Sequence, residues 1–358
     1  MKSKRKVFVG LSGGVDSSVS AALLKKAGYD VTGVFIKVWQ ADFLPCNWKE
    51  ERLDAMRICA RLEIPFLTFD LQKEYKKEVV DYMIREYKAG RTPNPDVMCN
   101  RHVKFRAFFD KAMKMGADFV ATGHYAQVKK TKSGKFEMKA GTDSNKDQSY
   151  FLWTLTQKEL SKTLCPVENI EKPEVRKLAE KFNLHTTTKK DSQGLCFIGK
   201  VDLKEFLSHF VKEKPGKVLD ESGKVIGKHE GAFFYTLGQR HGFLITKKTP
   251  YDTPFYIVKK DTKKNILVAS EKKPENNFLK YTRIVKIEDT NWILEIPQKG
   301  KKCSARVRYR QPLEKCTIEI KSGKKAVVTF EKPIGAVTPG QSLVVYNKDT
   351  CLGGGIIY

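Results

Sequence analysis

The sequence lacks any C-x-x-C pair, although it contains eight cysteines. Cysteines at that spacing are typical of zinc and iron–sulfur sites, so their absence argues against a metal held by thiolates. Structural disulfides are rare in cytosolic proteins, and most of the eight are therefore expected to be small buried apolar residues. A cysteine with a chemical role must be recognised from its neighbours.

The sequence also lacks an apolar run of the ~20 residues that a membrane helix requires. The short basic segment 1–6 leads directly into the apolar residues 7–9, which leaves no room for a signal or transit peptide. We therefore expect a cytoplasmic protein that does not bind membranes. A length of 358 residues exceeds one ordinary domain and predicts two or three.

Acidic residues are few: 41 Asp and Glu stand against 67 Lys and Arg, which gives a net charge of +26. Residues 1–200 carry 37 basic and 24 acidic side chains, and residues 201–358 carry 30 and 17, so both parts share the excess. This distribution favours a polyanionic partner that contacts more than one domain. A lysine-rich genome is the alternative, and charge alone does not decide between them.

Internal repeats and low-complexity segments are absent, but two patterns of predicted elements divide the chain. In the first part strands alternate with helices, which predicts a parallel sheet with helices on both faces. The predicted strands are 7–11, 31–39, 65–71 and 118–122, and the predicted helices are 17–27, 50–62, 74–88 and 104–115.

From about residue 200 the elements become short, β-rich and separated by glycine. After a short helix at 203–211, strands are predicted at 217–219, 224–226, 255–258, 266–268, 304–310, 317–320, 326–330 and 342–346. Regular strands with turns such as Pro339-Gly340 predict a small closed barrel. We expect an α/β parallel-sheet domain at 1–204, a central β-rich domain at 205–274 and a C-terminal β-barrel at 275–358.

The segment GLSGGVDSS at 10–18 follows a predicted buried strand and opens a helix. This placement points backbone N–H groups and the positive helix end at an anion, and Gly13 and Gly14 permit close backbone approach. No lysine follows the glycines, so the loop is not that of phosphoryl-transfer ATPases. A serine-bearing turn without a ligand is the alternative, but the order strand, loop, helix favours a phosphate site.

The letters SGGVDS in this segment resemble the signature of the N-type ATP pyrophosphatases, the PP-loop family. The resemblance implies that ATP is cleaved between its α- and β-phosphates and that a carbonyl-type oxygen is adenylated. Asp16 would lie near the pyrophosphate and its Mg²⁺, because a carboxylate beside three phosphates requires a cation between them. The implied nucleotide contacts are Gly10, Leu11, Ser12, Gly13, Gly14, Val15, Asp16, Ser17, Ile36 and Gly123.

Two cysteines, Cys99 and Cys196, lie in polar segments instead of apolar stripes. Cys99 follows two prolines in a predicted loop, just before the helix expected at 104–115. Its basic neighbours Arg101, His102 and Lys104 should favour the thiolate. Cys196 lies in a basic, glycine-containing segment. Burial is the commoner state of a cysteine, so the residues alone leave both roles open.

An ordered series of short motifs resembles the tRNA-specific 2-thiouridylases over nearly the whole chain. The motifs are NPDVMCN at 94–100, GHY at 123–125, KDQSYFL at 146–152, DSQGLCFIG at 191–199, FYTLGQR at 234–240, RYRQ at 308–311 and TPGQ at 338–341. The resemblance implies adenylation of the C2 oxygen of the wobble uridine, U34, by ATP. Sulfur transfer from a cysteine persulfide would then give 2-thiouridine, AMP and pyrophosphate.

The same resemblance implies distinct roles for the two cysteines. Cys196 would carry the persulfide, and Cys99 would be the partner thiol that ends in a disulfide with Cys196. Asp96 would transfer a proton beside the base, although by composition alone it is a turn-capping residue after Pro95. The other six cysteines are expected to stay free. A persulfide donor, either a cysteine desulfurase or a relay protein, is the implied protein partner.

The polyanion implied by the resemblance is tRNA, in particular the Lys, Glu and Gln isoacceptors. Arg306, Arg308 and Arg310 alternate along a predicted strand, which would place three guanidinium groups on one face that follows the RNA backbone. A solvated strand face is the alternative. The implied tRNA contacts are Asn94, Pro95, Asp96, His124, Lys146, Asp147, Gln148, Arg308, Tyr309 and Gln341.

Two residues depart from the family pattern. Ile36 and Val38 stand where methionine and asparagine are expected, and both lie in the predicted adenine wall. The histidines show no metal-ligand spacing, so no metal-binding residues are predicted among them. The alternatives are a PP-loop ligase or amidotransferase with a small substrate, which would not require two distant cysteines, and a non-catalytic RNA-binding protein, which would not require the 12–18 loop.

Overall fold

The protein is described by a computed structural model that covers residues 4–44, 48–190, 203–246, 253–271, 281–335 and 337–358. The strands are β1 Lys6–Leu11, β2 Asp30–Lys37, β3 Phe66–Asp70, β4 Phe119–Ala121, β5 Ala126–Lys130, β6 Phe136–Ala140, β7 Thr163–Leu164, β8 Gly216–Leu219, β9 Val225–His229, β10 Leu244–Ile245, β11 Tyr256–Asp261, β12 Ile266–Ser270, β13 Thr282–Trp292, β14 Lys302–Arg306, β15 Glu314–Lys321, β16 Lys325–Ile334, β17 Ser342–Asn347 and β18 Thr350–Ile357.

The α-helices are α1 Val15–Lys26, α2 Trp48–Arg61, α3 Gln72–Tyr75, α4 Tyr82–Lys88, α5 Pro95–Met98, α6 Phe109–Lys114, α7 Gln157–Leu160, α8 Lys172–Lys181 and α9 Leu203–Ser208. Two π-helical segments, Lys76–Asp81 and Cys99–Phe108, join α3 to α4 and α5 to α6. Short 3-10 turns form at Ser149–Phe151 and Ala232–Phe234. No helix within the described ranges is long and apolar enough to cross a membrane.

The first sheet is parallel, with the strand order β3-β2-β1-β4-β7. Its central strand is apolar on both faces: Val7 and Val9 pack into one core cluster, and Phe8 packs into another. This two-sided burial is what a parallel sheet covered by helices requires. The predicted parallel-sheet domain is therefore confirmed, and its four predicted strands form.

The helical run around Cys99 begins nine residues earlier than the predicted start at Lys104. Asn94 caps it, because its side-chain oxygen accepts a hydrogen bond from the N–H of Val97 at 3.3 Å, and Pro95 occupies the first helical position. Asparagine followed by proline is a helix-start pattern, and it was interpreted from the sequence as a rigid loop. Cys99 therefore lies in a helix, and the loop prediction for it is wrong.

The C-terminal sheet closes into the predicted barrel. Its strands run β13-β16-β15-β14-β17-β18, and a further pairing of β18 with β13 completes a ring of six. The hairpin β5–β6, which was not predicted, extends the sheet through the pairs Thr350↔Lys139 and Cys351↔Met138. The barrel sheet thus contains residues from the first half of the chain.

The central sheet is smaller and has the order β10-β9-β8-β12-β11. Strands β8 and β12 are parallel, and the other neighbours are antiparallel. Buried Val218, Ile257 and Leu267 belong to the same core cluster as the helices around Cys99. This sheet therefore packs against the face of the first domain that carries the predicted cysteine site.

Candidate active site

The predicted phosphate loop lies between β1 and α1 and is stabilised by its own serines. The hydroxyls of Ser17 and Ser18 donate to the carbonyl oxygen of Gly14 at 3.1 and 2.7 Å, and the N–H of Ser12 donates to the hydroxyl of Ser17 at 3.3 Å. Gly13 adopts a φ of 71°, which a residue with a side chain rarely takes. These contacts fix the loop against the first turn of α1, and the N–H groups of that turn face the loop.

The end of β4 passes directly over this first turn. A Cβ placed on Gly123 would lie 2.7 Å from the backbone nitrogen of Ser17, so only glycine fits there. Gly10 lies against Ile36, whose Cδ1 would be 3.7 Å from a Cβ on Gly10. Ile36 and Val38 are both buried. The structure thus brings Gly123 and Ile36 to the same loop, and their contacts with a nucleotide stay predictions.

Asp16 lies in the first turn of α1 and is held by two residues from distant segments. The ammonium of Lys172 lies 2.7 and 2.8 Å from the two carboxylate oxygens, and the hydroxyl of Tyr125 donates to one of them at 2.7 Å. The side chain of Lys172 is 10% exposed and that of Asp16 is 31% exposed. Lys172 was not predicted from the sequence. A lysine at the start of a helix, where the dipole disfavours a cation, was the available signal.

A second ion cluster lies beside the loop, around buried Asp54 of α2. Its carboxylate accepts a hydrogen bond from Lys189 at 2.7 Å, and it lies 3.2 Å from Nε2 of His185. Burial acts to raise the pKa of Asp54, but Lys189 and His185 outweigh it and lower the pKa below its usual value. The Lys189 ammonium would be 3.4 Å from a Cβ on Gly13. This cluster was not predicted from the sequence.

The Cys99 thiol is fully buried within the core cluster that the first domain shares with the central sheet and the barrel. Two of its basic neighbours are paired or made less basic: Arg101 pairs with Asp289 of β13, and burial together with the charge of Arg101 lowers the pKa of His102. This environment differs from the polar loop with cationic neighbours that the sequence predicted. Cys196 and Cys46 lie outside the described residues, as does the whole of 191–202, so the predicted disulfide falls outside them too.

Gly123-His124-Tyr125 connects the phosphate loop to the predicted uridine contacts. His124 is buried, with Nδ1 at 2.8 Å from the hydroxyl of Thr122 and its ring 5.7 Å from that of Phe105 in the Cys99 helix. Burial and the charge of Lys104 hold the pKa of His124 well below its usual value, so the ring is neutral at pH 7. Tyr125 bonds through its backbone N–H to the side chain of Gln148 at 3.1 Å.

Asp147 and Arg306 form a buried ion pair between the first domain and the barrel. Their charged atoms are 3.0 Å apart, and the side chains are 5% and 11% exposed. The other oxygen of Asp147 accepts hydrogen bonds from the N–H groups of Gly141 and Ser149. Asp147 thus fixes the hairpin segment to the barrel in this structure, and its contact with RNA stays a prediction.

The loop before β17 brings the barrel to the segment that precedes Asn94. The side-chain amide of Gln341 donates to the carbonyl oxygens of Thr92 and Pro93, both at 3.0 Å. Arg308 donates to the hydroxyl of Thr338 at 2.9 Å. Most of the predicted tRNA contacts therefore lie around one junction: Asn94, Pro95 and Asp96 on the helix start, Lys146 and Gln148 beside the hairpin, and Arg308, Tyr309 and Gln341 on the barrel.

The three arginines do not share a strand face, and that prediction is wrong. Strand β14 ends at Arg306, which is buried against Asp147, and the chain then turns. Arg310 has a φ of 63°, and the side chain of Gln311 accepts a hydrogen bond from the N–H of Val307 at 3.3 Å. The side chain of Gln311, four residues after Val307, closes this turn. Strand periodicity in the sequence does not reveal such a contact.

Six cysteines of the described residues are thiols outside any disulfide. They are Cys59, Cys99, Cys165, Cys303, Cys316 and Cys351. Across β14 and β15, the Sγ atoms of Cys303 and Cys316 lie 3.6 Å apart. Within the ranges that the structure covers, no group of three or more His, Cys, Asp or Glu could hold a metal ion.

Three family models match successive parts of the chain. The tRNA methyl transferase HUP domain matches residues 5–200, which is more than half of the chain. The tRNA methyl transferase PRC-barrel domain matches residues 204–271, and the aminomethyltransferase beta-barrel domain matches residues 282–357. The three matches correspond in order to the parallel sheet, the central sheet and the closed barrel.

Curated relatives match over nearly their full length. The chain is 46% identical to the tRNA-specific 2-thiouridylase MnmA of Streptococcus sanguinis, with 99% of this chain and 95% of that protein covered. It is 46% identical to the MnmA of Geobacillus thermodenitrificans, with 98% and 94% covered. It is 44% identical to the MnmA of Francisella tularensis subsp. novicida, with 99% of both chains covered. The chain therefore belongs to the family of tRNA-specific 2-thiouridylases.

Proposed function

We propose that this chain is an ATP-dependent sulfurtransferase that converts a uridine of tRNA into 2-thiouridine. The observation that carries the proposal is the position of Gly123-His124-Tyr125 between two chemical centres. Gly123 packs on the first turn of α1, and the Tyr125 hydroxyl bonds to Asp16, while His124 lies against the helix that carries Cys99. A base held beside this segment would lie between the phosphate loop and the helix that carries Cys99.

ATP makes the oxygen at C2 of uracil into a leaving group. The C2 oxygen attacks the α-phosphorus, the bond between that phosphorus and the bridging oxygen breaks, and pyrophosphate leaves with the electron pair. Loop residues 10–17 would hold the phosphates through backbone N–H groups. Ile36 and Gly123 would contact the nucleoside part.

Mg²⁺ fits the site in the way that it commonly binds in nucleotide enzymes, through one carboxylate and phosphate oxygens. Asp16 is the carboxylate in the first turn of α1, and its side chain is part-exposed at the loop. Bound Mg²⁺ would neutralise charge on the phosphates. Asp16 would hold it once the ammonium of Lys172 has shifted toward the phosphates or shares the carboxylate.

Sulfur transfer requires two thiols in this proposal. The terminal sulfur of a persulfide on Cys196 bonds to C2, and AMP leaves with the adenylated oxygen. The thiolate of Cys99 then attacks the Sγ of Cys196, which breaks the sulfur–sulfur bond and leaves the transferred sulfur on the base. The product disulfide between Cys99 and Cys196 is reduced by an external thiol. Asp96 would move the proton at the base.

The burial of Cys99 sets a condition on this chemistry. A thiol with no exposed surface cannot attack a disulfide-like sulfur, so binding of tRNA must be accompanied by a change that uncovers it. The base must also leave the anticodon stack to reach the site. We therefore place the uncovering of Cys99 before the second sulfur step.

The partners follow from the same proposal. The target is U34 of the Lys, Glu and Gln tRNAs, and the predicted tRNA contacts at 94–96, 124, 146–148, 308–309 and 341 would surround it. A cysteine desulfurase or relay protein would deliver the persulfide in the cytoplasm. The described junction involves both the first domain and the barrel, in agreement with the positive charge that both parts of the chain carry.

Incubation of the protein with ATP, Mg²⁺, a persulfide donor and unmodified tRNA tests the proposal. Nucleoside mass spectrometry should find 2-thiouridine at position 34, and AMP should be released only when tRNA is present. AMP release that depends on a small molecule instead of tRNA would favour a PP-loop ligase. If neither AMP nor 2-thiouridine forms, the result would favour the alternative of a non-catalytic RNA-binding protein.

A further inference from the structure

The phosphate loop has no lysine of its own, but two lysines from a distant segment reach it. Lys172 begins α8 and Lys189 follows that helix, both more than 150 residues after the loop. The Lys172 ammonium lies on Asp16, and the Lys189 ammonium would lie 3.4 Å from a Cβ placed on Gly13. A site that releases pyrophosphate requires cationic groups around its β- and γ-phosphates.

Lys172 is a buried cation at the start of a helix, a position that destabilises the protein unless the ammonium contacts a negative charge. It lies in the first turn of α8, where the helix dipole disfavours a cation, and the residue is 8% exposed. Its backbone N–H donates to Asp143 at 3.0 Å, which fixes the start of the helix, and its ammonium lies on Asp16. An ammonium has three donors, so it can contact Asp16 and a phosphate oxygen together.

Lys189 is held in place by contacts at both its ends. Its ammonium is 2.7 Å from the buried carboxylate of Asp54. Its carbonyl oxygen accepts hydrogen bonds from the guanidinium of Arg176, at 3.2 Å, one turn after Lys172 on α8. The same helix therefore positions both lysines, because Lys172 and Arg176 are four residues apart and lie on one helical face.

We propose that Lys172 and Lys189 bind the pyrophosphate part of ATP and stabilise the pyrophosphate that leaves during adenylation. This inference rests on the proposed function, and it assigns the cations that the loop itself lacks. Lysine suits this role, because it contacts phosphate as a compact point charge. Asp16 and Asp54 orient the two ammonium groups before the nucleotide arrives.

Binding of Mg²⁺-pyrophosphate, measured by calorimetry without tRNA, tests the assignment. Lys172→Met and Lys189→Met should each weaken binding by about tenfold or more, since each removes a charge-assisted hydrogen bond. The KM for ATP should rise, while the Kd for tRNA stays unchanged. Lys189→Arg, which keeps the charge on a part-exposed side chain, should retain most of the affinity. Lys177→Met is the matched control, because Lys177 lies on α8 with a side chain that is 73% exposed.

The folding of each methionine variant is checked by urea unfolding, because Lys172→Met leaves Asp16 without its ammonium partner and could destabilise the protein. Amine acylation of the unaltered protein, followed by mass spectrometry, should show that pyrophosphate protects Lys189, whose side chain is part-exposed, but not Lys177. Equal affinity in the folded methionine variants, or no protection of Lys189, would overturn the inference and leave the two lysines as structural ion pairs. If the wild type binds pyrophosphate through these lysines yet forms no 2-thiouridine, the proposed function fails and the phosphate assignment stands.

Discussion

The phosphate loop and the Cys99 helix lie on neighbouring elements but differ in how open they are. The loop is built from backbone, with exposed Ser12 and part-exposed Asp16 already oriented by Lys172. Cys99 is fully buried inside a helical run whose start is capped by Asn94. In the proposed function, nucleotide binding would therefore use the structure as it stands, whereas sulfur transfer through Cys99 would require a change that exposes the thiol. Binding of ATP and reactivity of the thiol should consequently respond to different perturbations.

The largest effect is expected from Asp16→Ala. The substitution removes the carboxylate that orients Lys172 together with the predicted Mg²⁺ ligand, so tRNA-dependent AMP formation should fall by at least ~100-fold. The Kd for tRNA should change little, because the predicted RNA contacts lie at the barrel junction. Filter binding and AMP release by chromatography measure the two quantities. A variant that forms AMP at the wild-type rate would remove Asp16 from the catalytic residues.

How well each region could be predicted depended on whether its parts are contiguous in the sequence. The loop was located because strand, glycines and helix are contiguous in sequence. Lys172 and Lys189 were missed because they reach the loop from more than 150 residues away. The start of the Cys99 helix was wrong because Asn94-Pro95 was interpreted as a turn and not as a cap. The hairpin at 126–140 was missed because its partner strand, β18, lies at the other end of the chain.

The alkylation rate of Cys99 tests the contrast between the buried thiol and the part-exposed phosphate loop. In the free protein the rate should be close to that of Cys59, which is also buried, and addition of tRNA should raise it about tenfold or more. Peptide mapping with isotope-labelled iodoacetamide gives the rate for each cysteine. Rapid labelling of Cys99 without tRNA would show that the thiol is already open in solution, and the contrast with the loop would disappear.

Arg306→Met should destabilise the junction between the first domain and the barrel. It leaves Asp147 as a buried charge without its partner, which costs about 3–5 kcal/mol of unfolding free energy. Asp147→Asn combined with Arg306→Met removes both charges and should recover part of that loss. Urea unfolding measures the difference. If the single variant is as stable as the wild type, the pair is not holding the junction.

The smallest effect is expected from Asn94→Ala. Loss of the helix cap should cost about 1 kcal/mol. Asn94→Asp retains the cap and serves as the control for stability. Since Asn94 is also a predicted tRNA contact, a drop in thiolation for Asn94→Asp at unchanged stability would separate the contact from the cap. Wild-type thiolation activity in both Asn94→Ala and Asn94→Asp would confine Asn94 to helix capping.

Mapping of the disulfide after a single turnover tests the central claim most directly. The protein, loaded with persulfide and incubated with ATP and tRNA but without reductant, should yield 2-thiouridine together with a Cys99–Cys196 disulfide. Cys196→Ser should accept no sulfur, and Cys99→Ser should load sulfur but fail to release it onto tRNA. The close pair Cys303 and Cys316 must be resolved in the map and is expected to remain reduced. Full multi-turnover thiolation by either serine variant would contradict the two-cysteine mechanism.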